Sequence, residues 1–525
     1  MRSPSTPGRI AVLAALLALL ATACHSGAAG PGAAPSTTGT ATARGPSSSA
    51  SATAAWSVAS ENRLPGTTAW KITQPAKGDE IDGFAARTSV RAGQPVPLYV
   101  STTARTWSVS AYRMGWYAGK GGRRVSAAAA NQPAVHQPAA TVDPTTRTVI
   151  APWTHPLSVP TAGWPPGDYL LKLTAASGGQ RYVPLVVRSP RTAGTVVIDN
   201  AALTWQAYNA WGGYSLYHGH HGFGDRAYAV SFDRPYDANG ADKFMVYERP
   251  LVAEAERLGL PLSYVTDIDV STDPGLLSGA RAVLSLGHDE YWTAQDRSAF
   301  QAAAAGGANL TFFGANEAYW QVRLAATRLG ADRLVVEYKS AALDPMHRSH
   351  PQQATERFRD LPDPEPEAEL SGLDYECYPA LGHYKIEDPS FWGFAGTGVK
   401  RGRVIPGLVG VEIDRAYPLP STPRPVDVVA HSPVRCRGTS TYSDSAYSTR
   451  KSGAGVFATG TMHWTCVLAG SCRQFGATDA STSFVRRVTD NVLREFARGP
   501  AGKAQPARDN LDALHESPVN TTGAA

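Results

Sequence analysis

Two apolar runs, each stopping at a glycine and each followed by ionisable residues, constrain this chain more than any other feature. The first is Leu284-Ser285-Leu286-Gly287-His288-Asp289-Glu290-Tyr291-Trp292. The second is Asn309-Leu310-Thr311-Phe312-Phe313-Gly314-Ala315-Asn316-Glu317-Ala318-Tyr319-Trp320. A short continuous apolar run suits a strand buried on both faces. Polar residues at the carboxyl ends of parallel strands mark the usual crevice of an open α/β fold. The pair therefore predicts both a sheet and the place of its chemistry.

The flanking pattern extends that sheet. Residues 195–198, 262–266, 282–286 and 310–313 read as strands. Residues 244–258 read as a helix, with Phe244, Tyr247, Leu251 and Leu258 near one face and Pro250 either in its first turn or splitting it. Residues 293–305 read as a helix with Thr293 as N-cap and Gly306-Gly307 as its stop. Alternating strands and helices predict an α/β doubly wound parallel sheet over residues 191–499. Within it, residues 330–450 are rich in Pro and Gly and less regular, 456–460 resemble a late strand, and 484–496 a closing helix. Residues 61–190 carry short alternating runs between Gly/Pro turns, which predicts an immunoglobulin-like β-sandwich.

The ends have a different texture. Arg2 and Arg9 precede an uncharged apolar run over residues 10–21, too short for the ~20 residues that span a bilayer. Small residues then lead to Cys24, so residues 1–24 read as a lipoprotein-type signal peptide with a lipid on Cys24; ordinary secretion with cleavage after Ala23 is the alternative. Residues 25–60, mostly Ser, Thr, Ala, Gly and Pro, read as a disordered tether, and residues 500–525 as a flexible tail. The expected location is secreted or lipid-anchored on the outer face of the membrane.

With 525 residues, 43% of them apolar, the chain can bury a large core. A formal charge of +5, with no long basic stripe, gives no reason to invoke nucleic acid. Besides Cys24 there are Cys377, Cys436, Cys466 and Cys472, enough for two disulfides in an oxidising compartment. Cys466 and Cys472 could close a small loop, leaving Cys377 with Cys436, although three connectivities are open. A C-x-x-C pair, a G-x-S-x-G elbow and a phosphate-binding glycine loop in the right context are absent from the sequence.

His288, Asp289 and Glu290 can serve as metal ligands or proton carriers, or merely cap the following helix. Tyr208 and Tyr217, in the aromatic stretch after the first α/β strand, should lie at the same sheet edge. Tyrosine normally packs or donates a hydrogen bond, but a strong Lewis acid such as ferric iron can deprotonate its phenol.

The His288–Trp292 and Asn316–Trp320 motifs, with His288 and Asn316 28 residues apart, resemble the large (beta) subunit of N,N-dimethylformamidase. So do the Ala207-Tyr208-Asn209 and Ser215-Leu216-Tyr217 segments and, in the β region, Tyr112-Arg113-Met114-Gly115-Trp116-Tyr117. The resemblance covers residues 80–330 closely and 370–500 more loosely. It implies a fold like a class I glutamine amidotransferase and one ferric ion held by Tyr208, Tyr217 and Glu290, with Tyr214 or Tyr247 as alternatives to Tyr217. It also implies that His288 and Asn316 face the substrate or lie behind the ligands. That family's turn often has Pro where Asp289 stands, and its enzyme works with a small partner subunit not encoded in this chain.

The resulting expectation is an exported, iron-dependent amidohydrolase acting on a small amide or formamide-type C–N bond, possible as a homo-oligomer. Glu290→Ala should then lose iron and activity. Two other readings stand beside it. One is a non-catalytic cell-surface binding protein with a degenerate amidase-like domain. The other, weaker, is a carbohydrate-active enzyme using Asp289 and Glu290 as a carboxylate pair.

Overall fold

The computed structural model describes residues 56–514. The signal segment with Cys24, and the tether except for its last residues, lie outside them. The central feature is a nine-stranded sheet. Its strands are β1 (Val196–Asn200), β2 (Leu262–Thr266), β3 (Ala282–Ser285), β4 (Asn309–Phe312), β5 (Asp374–Lys385), β6 (Val404–Arg415), β7 (Val426–Cys436), β8 (Thr439–Thr449) and β9 (Gly455–Ala458). They lie in the order β2-β1-β3-β4-β9-β8-β7-β5-β6.

From β2 to β9 neighbouring strands are parallel, and β1 to β4 are buried throughout, as their apolar runs require. From β9 onward every pairing is antiparallel. This corrects the expected fold class. The sheet is mixed and belongs to a multi-sheet structure richer in strand than helix, not a doubly wound parallel sheet of class I glutamine amidotransferase type behind an immunoglobulin-like domain. The physical reason lies in residues 330–450. Pro379 and Gly382 fall at bulges of a long antiparallel strand there, and such bulges break the alternation that would have revealed these strands.

Helix α1 (Ala202–Tyr208) follows β1 directly, and α2 (Ala294–Ala305) begins after the first motif. Thr293 caps α2, accepting from the Asp296 backbone N–H at 3.0 Å. Pro250 does split the expected 244–258 helix: a π-helical turn, Phe244–Glu248, precedes an α-helix, Arg249–Arg257, with the proline in its first turn. A separate four-stranded sheet orders Ala229–Ser231, Gly330–Val336, Trp320–Thr327 and Tyr291–Thr293, and so ties the tail of the first motif beside that of the second.

The β region holds a three-stranded and a five-stranded sheet around one apolar core that includes Leu98, Val109, Leu171 and Leu185. It meets the Arg249–Arg257 helix and, through Tyr264 Oη of β2 at 3.4 Å, the large sheet by way of Arg113. This guanidinium is fully buried and pairs with Glu256 at 2.6 Å, while also donating to the Pro166 carbonyl at 2.9 Å and to Tyr117 Oη at 3.0 Å. A Cβ on Gly115 would lie 2.0 Å from Glu256 Oε2, so glycine is required for that approach. The 112–117 motif is therefore a seam between layers.

The cysteines pair as Cys377–Cys436 and Cys466–Cys472. Residues 500–514, expected as loose tail, pack instead: Leu511 is buried in the core and Asn510 bonds the β7 backbone. Among the described residues no helix is long and apolar enough to cross a membrane.

Candidate functional site

The two motif turns pack back to back at the ends of β3 and β4. Gly287 has φ +63°, and a Cβ there would meet the Tyr247 carbonyl at 2.2 Å. A Cβ on Gly314 would meet the Gly287 carbonyl at 2.1 Å. Backbone N–H groups of Ala318, Tyr319 and Trp320 donate to the carbonyls of Asp289 and Glu290 at 2.9–3.0 Å. The Thr204 hydroxyl of α1 accepts from the backbone N–H groups of Glu290 and Tyr291. Glycines thus permit the approach, and hydrogen bonds fix it.

This frame gathers four of the expected residues. Tyr208, the last residue of α1, donates to Glu290 Oε2 at 2.6 Å, and Tyr217 donates to Glu290 Oε1. Their rings stack at 4.7 Å. His288 Nε2 lies 3.1 Å from Tyr208 Oη and 3.5 Å from Glu290 Oε2. Tyr214 and Tyr247 are not among the hydrogen-bond partners of Glu290: Tyr214 packs on His220, and Tyr247 lies beside the His288 ring at 5.6 Å. The loop bearing Tyr217 is clamped by the buried Arg234, which donates at 2.8 Å to the carbonyls of Asn209, Trp211 and Tyr214.

Asn316 stands one step away. It adopts φ +61°, its backbone N–H donates to Asp414 at 2.8 Å, and its Nδ2 donates to Glu412 Oε2 at 2.7 Å. Its Oδ1 and His288 Nδ1 are buried without a hydrogen-bond partner among the described residues. Asp289 turns the other way, accepting from the Ser285 hydroxyl at 2.9 Å while its backbone N–H donates to Glu317. The Asp289–Glu290 carboxylate pair is therefore split between two environments, which removes the basis for a glycosidase-like couple.

Sequence reasoning missed Lys339 and Glu412 and gave Trp320, the end of the second motif, no role. Trp320 donates to Glu290 Oε1 at 2.9 Å. The Lys339 ammonium lies 4.0 Å from the Trp320 ring centre and 4.1 Å from that of Tyr217, and donates to Tyr291 Oη. Glu412 comes from β6, where an acidic residue inside the apolar Leu408-Val409-Gly410-Val411 context was the available signal.

The electrostatics follow from these contacts. Burial alone would raise the Glu290 carboxyl, but the His288 hydrogen bond, the charges of Lys339 and His288 and the Tyr208 hydrogen bond outweigh it, pulling it down to about 2. Burial, then the charge of Glu290, pushes both tyrosine phenols well above their usual range. Burial raises Glu412 to about 7, against the opposing charge of His288. His288 is raised: burial lowers it, but Glu412 and Glu290 prevail. Burial lowers Lys339 to about 8.

Two phenol oxygens converging on the two oxygens of one carboxylate form an all-oxygen donor set, the kind a hard cation takes. Both phenols keep their protons as they stand, and only a strong Lewis acid bound between them would displace those protons. The residues thus fit the ion that the resemblance implies. A second gathering, His463 with Cys466 and Cys472, brings its ligand atoms within 4.8 Å of one another, but both sulfurs are spent in the disulfide and leave no thiolate for a metal.

A family model described as N,N-dimethylformamidase beta subunit-like, C-terminal, matches residues 108–477, well over half of the chain. The chain belongs to this family. The match spans part of the β region, both motif turns and Glu412. Family membership suggests chemistry of amidohydrolase type. No curated protein matches the chain.

Proposed function

We propose that this protein is an exported amidohydrolase that holds ferric iron on Tyr208, Tyr217 and Glu290 and cleaves a small amide or formamide-type C–N bond. The observation that carries the proposal is the grip of two tyrosines on both oxygens of one buried, ionised carboxylate. Bound there, the ion would supply Lewis acidity, polarising an amide carbonyl or acidifying a water.

The protein's own groups do the rest. His288 presents an unpartnered Nδ1, so it can take a proton from water and return it to the departing nitrogen. Glu412, near neutrality in its pKa, sustains the charge of His288 and orients Asn316. The free Asn316 Oδ1 accepts from the substrate N–H or the water. Trp320 and Lys339 hold Glu290 from behind. Burial of Glu290 and His288, 1% and 3% exposed, keeps bulk water from competing. The two disulfides support an oxidising location, consistent with a lipid or secretion signal at Cys24.

The test is the purified soluble chain, examined for a purple or brown phenolate-to-iron absorption and for hydrolysis of formamides. A coloured, active protein is expected. A colourless, metal-free protein that binds ligands without turnover would favour the non-catalytic surface reading.

A further inference from the structure

Lys243 lies against the aromatic wall of the site. It precedes the π-helical turn, and its ammonium lies 4.6 Å from the ring centre of Tyr208 and 5.7 Å from that of Tyr247. The His288 ring lies against the same two rings, at 5.5 and 5.6 Å. Lys243 and His288 therefore flank one aromatic surface. Unlike Lys339, which donates to Tyr291 behind the carboxylate, Lys243 makes no hydrogen bond or ion pair among the described residues. Asp237, Asp242, Glu412 and Glu290 act on it through space only.

A half-buried ammonium that still reaches solvent offers three donors to an incoming acceptor. His288 Nδ1, whose ring feels the Lys243 charge, and Asn316 Oδ1, whose amide bonds the Glu412 that also acts on Lys243, are unpartnered too. Three polar groups of one site without partners describe the complement of a ligand: an N–H or water for the first two, an anion for the third. One ammonium matches the single charge of a carboxylate, whereas phosphate recognition usually draws on bidentate arginine or several backbone N–H groups.

We infer that the substrate is an amide carrying a carboxylate a few bonds from the scissile C–N bond, an N-acylamino acid in chemical class, and that Lys243 binds that carboxylate. The inference rests on the amidohydrolase reading. In the reaction, water adds its oxygen to the acyl carbon, the C–N bond breaks, and the nitrogen departs with a proton as the amine of an amino acid.

The experiment compares N-formylglycine with N-methylformamide, using the full chain, Lys243→Met and Lys243→Arg, with kinetics, calorimetric binding of N-formylglycine and thermal melts. Wild type should prefer N-formylglycine by at least tenfold in kcat/KM. Lys243→Met should raise its KM and weaken its binding about tenfold, leave N-methylformamide unchanged, and melt as wild type does. Lys243→Arg should retain part of the preference. Equal turnover of both substrates by wild type would overturn the inference while leaving the amidohydrolase reading intact. So would equal loss on both substrates in Lys243→Met that Lys243→Arg restores, since the charge would then serve the reacting carbonyl. Lys243-dependent binding of N-formylglycine without turnover of either compound would support the anion site and sink the amidase.

Discussion

The turns at residues 287–290 and 314–317 end neighbouring strands, begin with glycine and place a glutamate at the fourth position, yet the two glutamates live in opposite worlds. Glu290 receives hydrogen bonds from Tyr208, Tyr217 and Trp320, and its carboxyl is pulled down to about 2 despite full burial. Glu317 accepts from the Asp289 backbone and the Ser285 hydroxyl, has one oxygen without a partner, and faces Asp289 and Asp414. Burial and those like charges push it well above the carboxylate range, so it keeps its proton. Equal sequence positions thus give one anion able to hold a cation and one neutral acid that fastens the two turns together. The difference comes from what packs around each turn, above all Tyr208 of α1 and Tyr217 of the loop after it, which bond Glu290 and not Glu317.

Replacing the anion should have the largest effect: Glu290→Gln should reduce amide hydrolysis to background while the fold persists, as read by kinetics and circular dichroism. Forcing the turns apart comes next. In Gly314→Ala the new methyl would lie 2.1 Å from the Gly287 carbonyl and 2.3 Å from Glu317 Oε1. Denaturant titration should register a loss at the upper end of overpacking costs, about 3 kcal/mol. Arg234→Met leaves every proposed ligand in place but frees the loop that carries Tyr217. A 10–100-fold loss of iron affinity, the usual cost of losing an outer support, is expected in a chelator competition. Unchanged affinity would show that the loop needs no clamp.

The smallest effect concerns Glu317 and has a definite sign. An unfolded glutamate titrates near ~4.3. Because the folded pKa of Glu317 is higher, keeping it buried costs stability progressively as pH rises above that value, by about 1.4 kcal/mol per unit of pKa difference. Glu317→Gln removes the cost, so its melting temperature relative to wild type should climb with pH above ~4. Glu290, with its folded pKa lowered, behaves oppositely in the metal-free protein: its contribution is present above ~4.3 and fades as pH falls toward about 2. A Glu317→Gln difference that is flat with pH would mean that Glu317 is ionised, and the contrast between the turns would vanish.

Much of this was legible in the residues, and the limits are physical. The runs around Ile198, Tyr264, Leu284 and Leu310 announce strands because full burial demands apolar side chains at successive positions. Thr293 and the glycines after Ala305 announce the bounds of α2 through local hydrogen bonding. The tyrosines and Glu290 were nameable from motif resemblance, but their convergence depends on α1 and the Arg234 clamp, contacts made far along the chain. Glu412, Lys339 and Lys243 escaped notice because a lone charged residue in a sequence does not reveal which partner it meets. The antiparallel half escaped because bulges at Cys377, Ala380 and Gly382 interrupt the period of two.

The most direct test is iron stoichiometry in Glu290→Gln measured beside Glu317→Gln, both purified as folded full chains. The account predicts that Glu290→Gln loses its iron and Glu317→Gln retains the wild-type content. Full iron in Glu290→Gln, or equal loss in both variants, would contradict it.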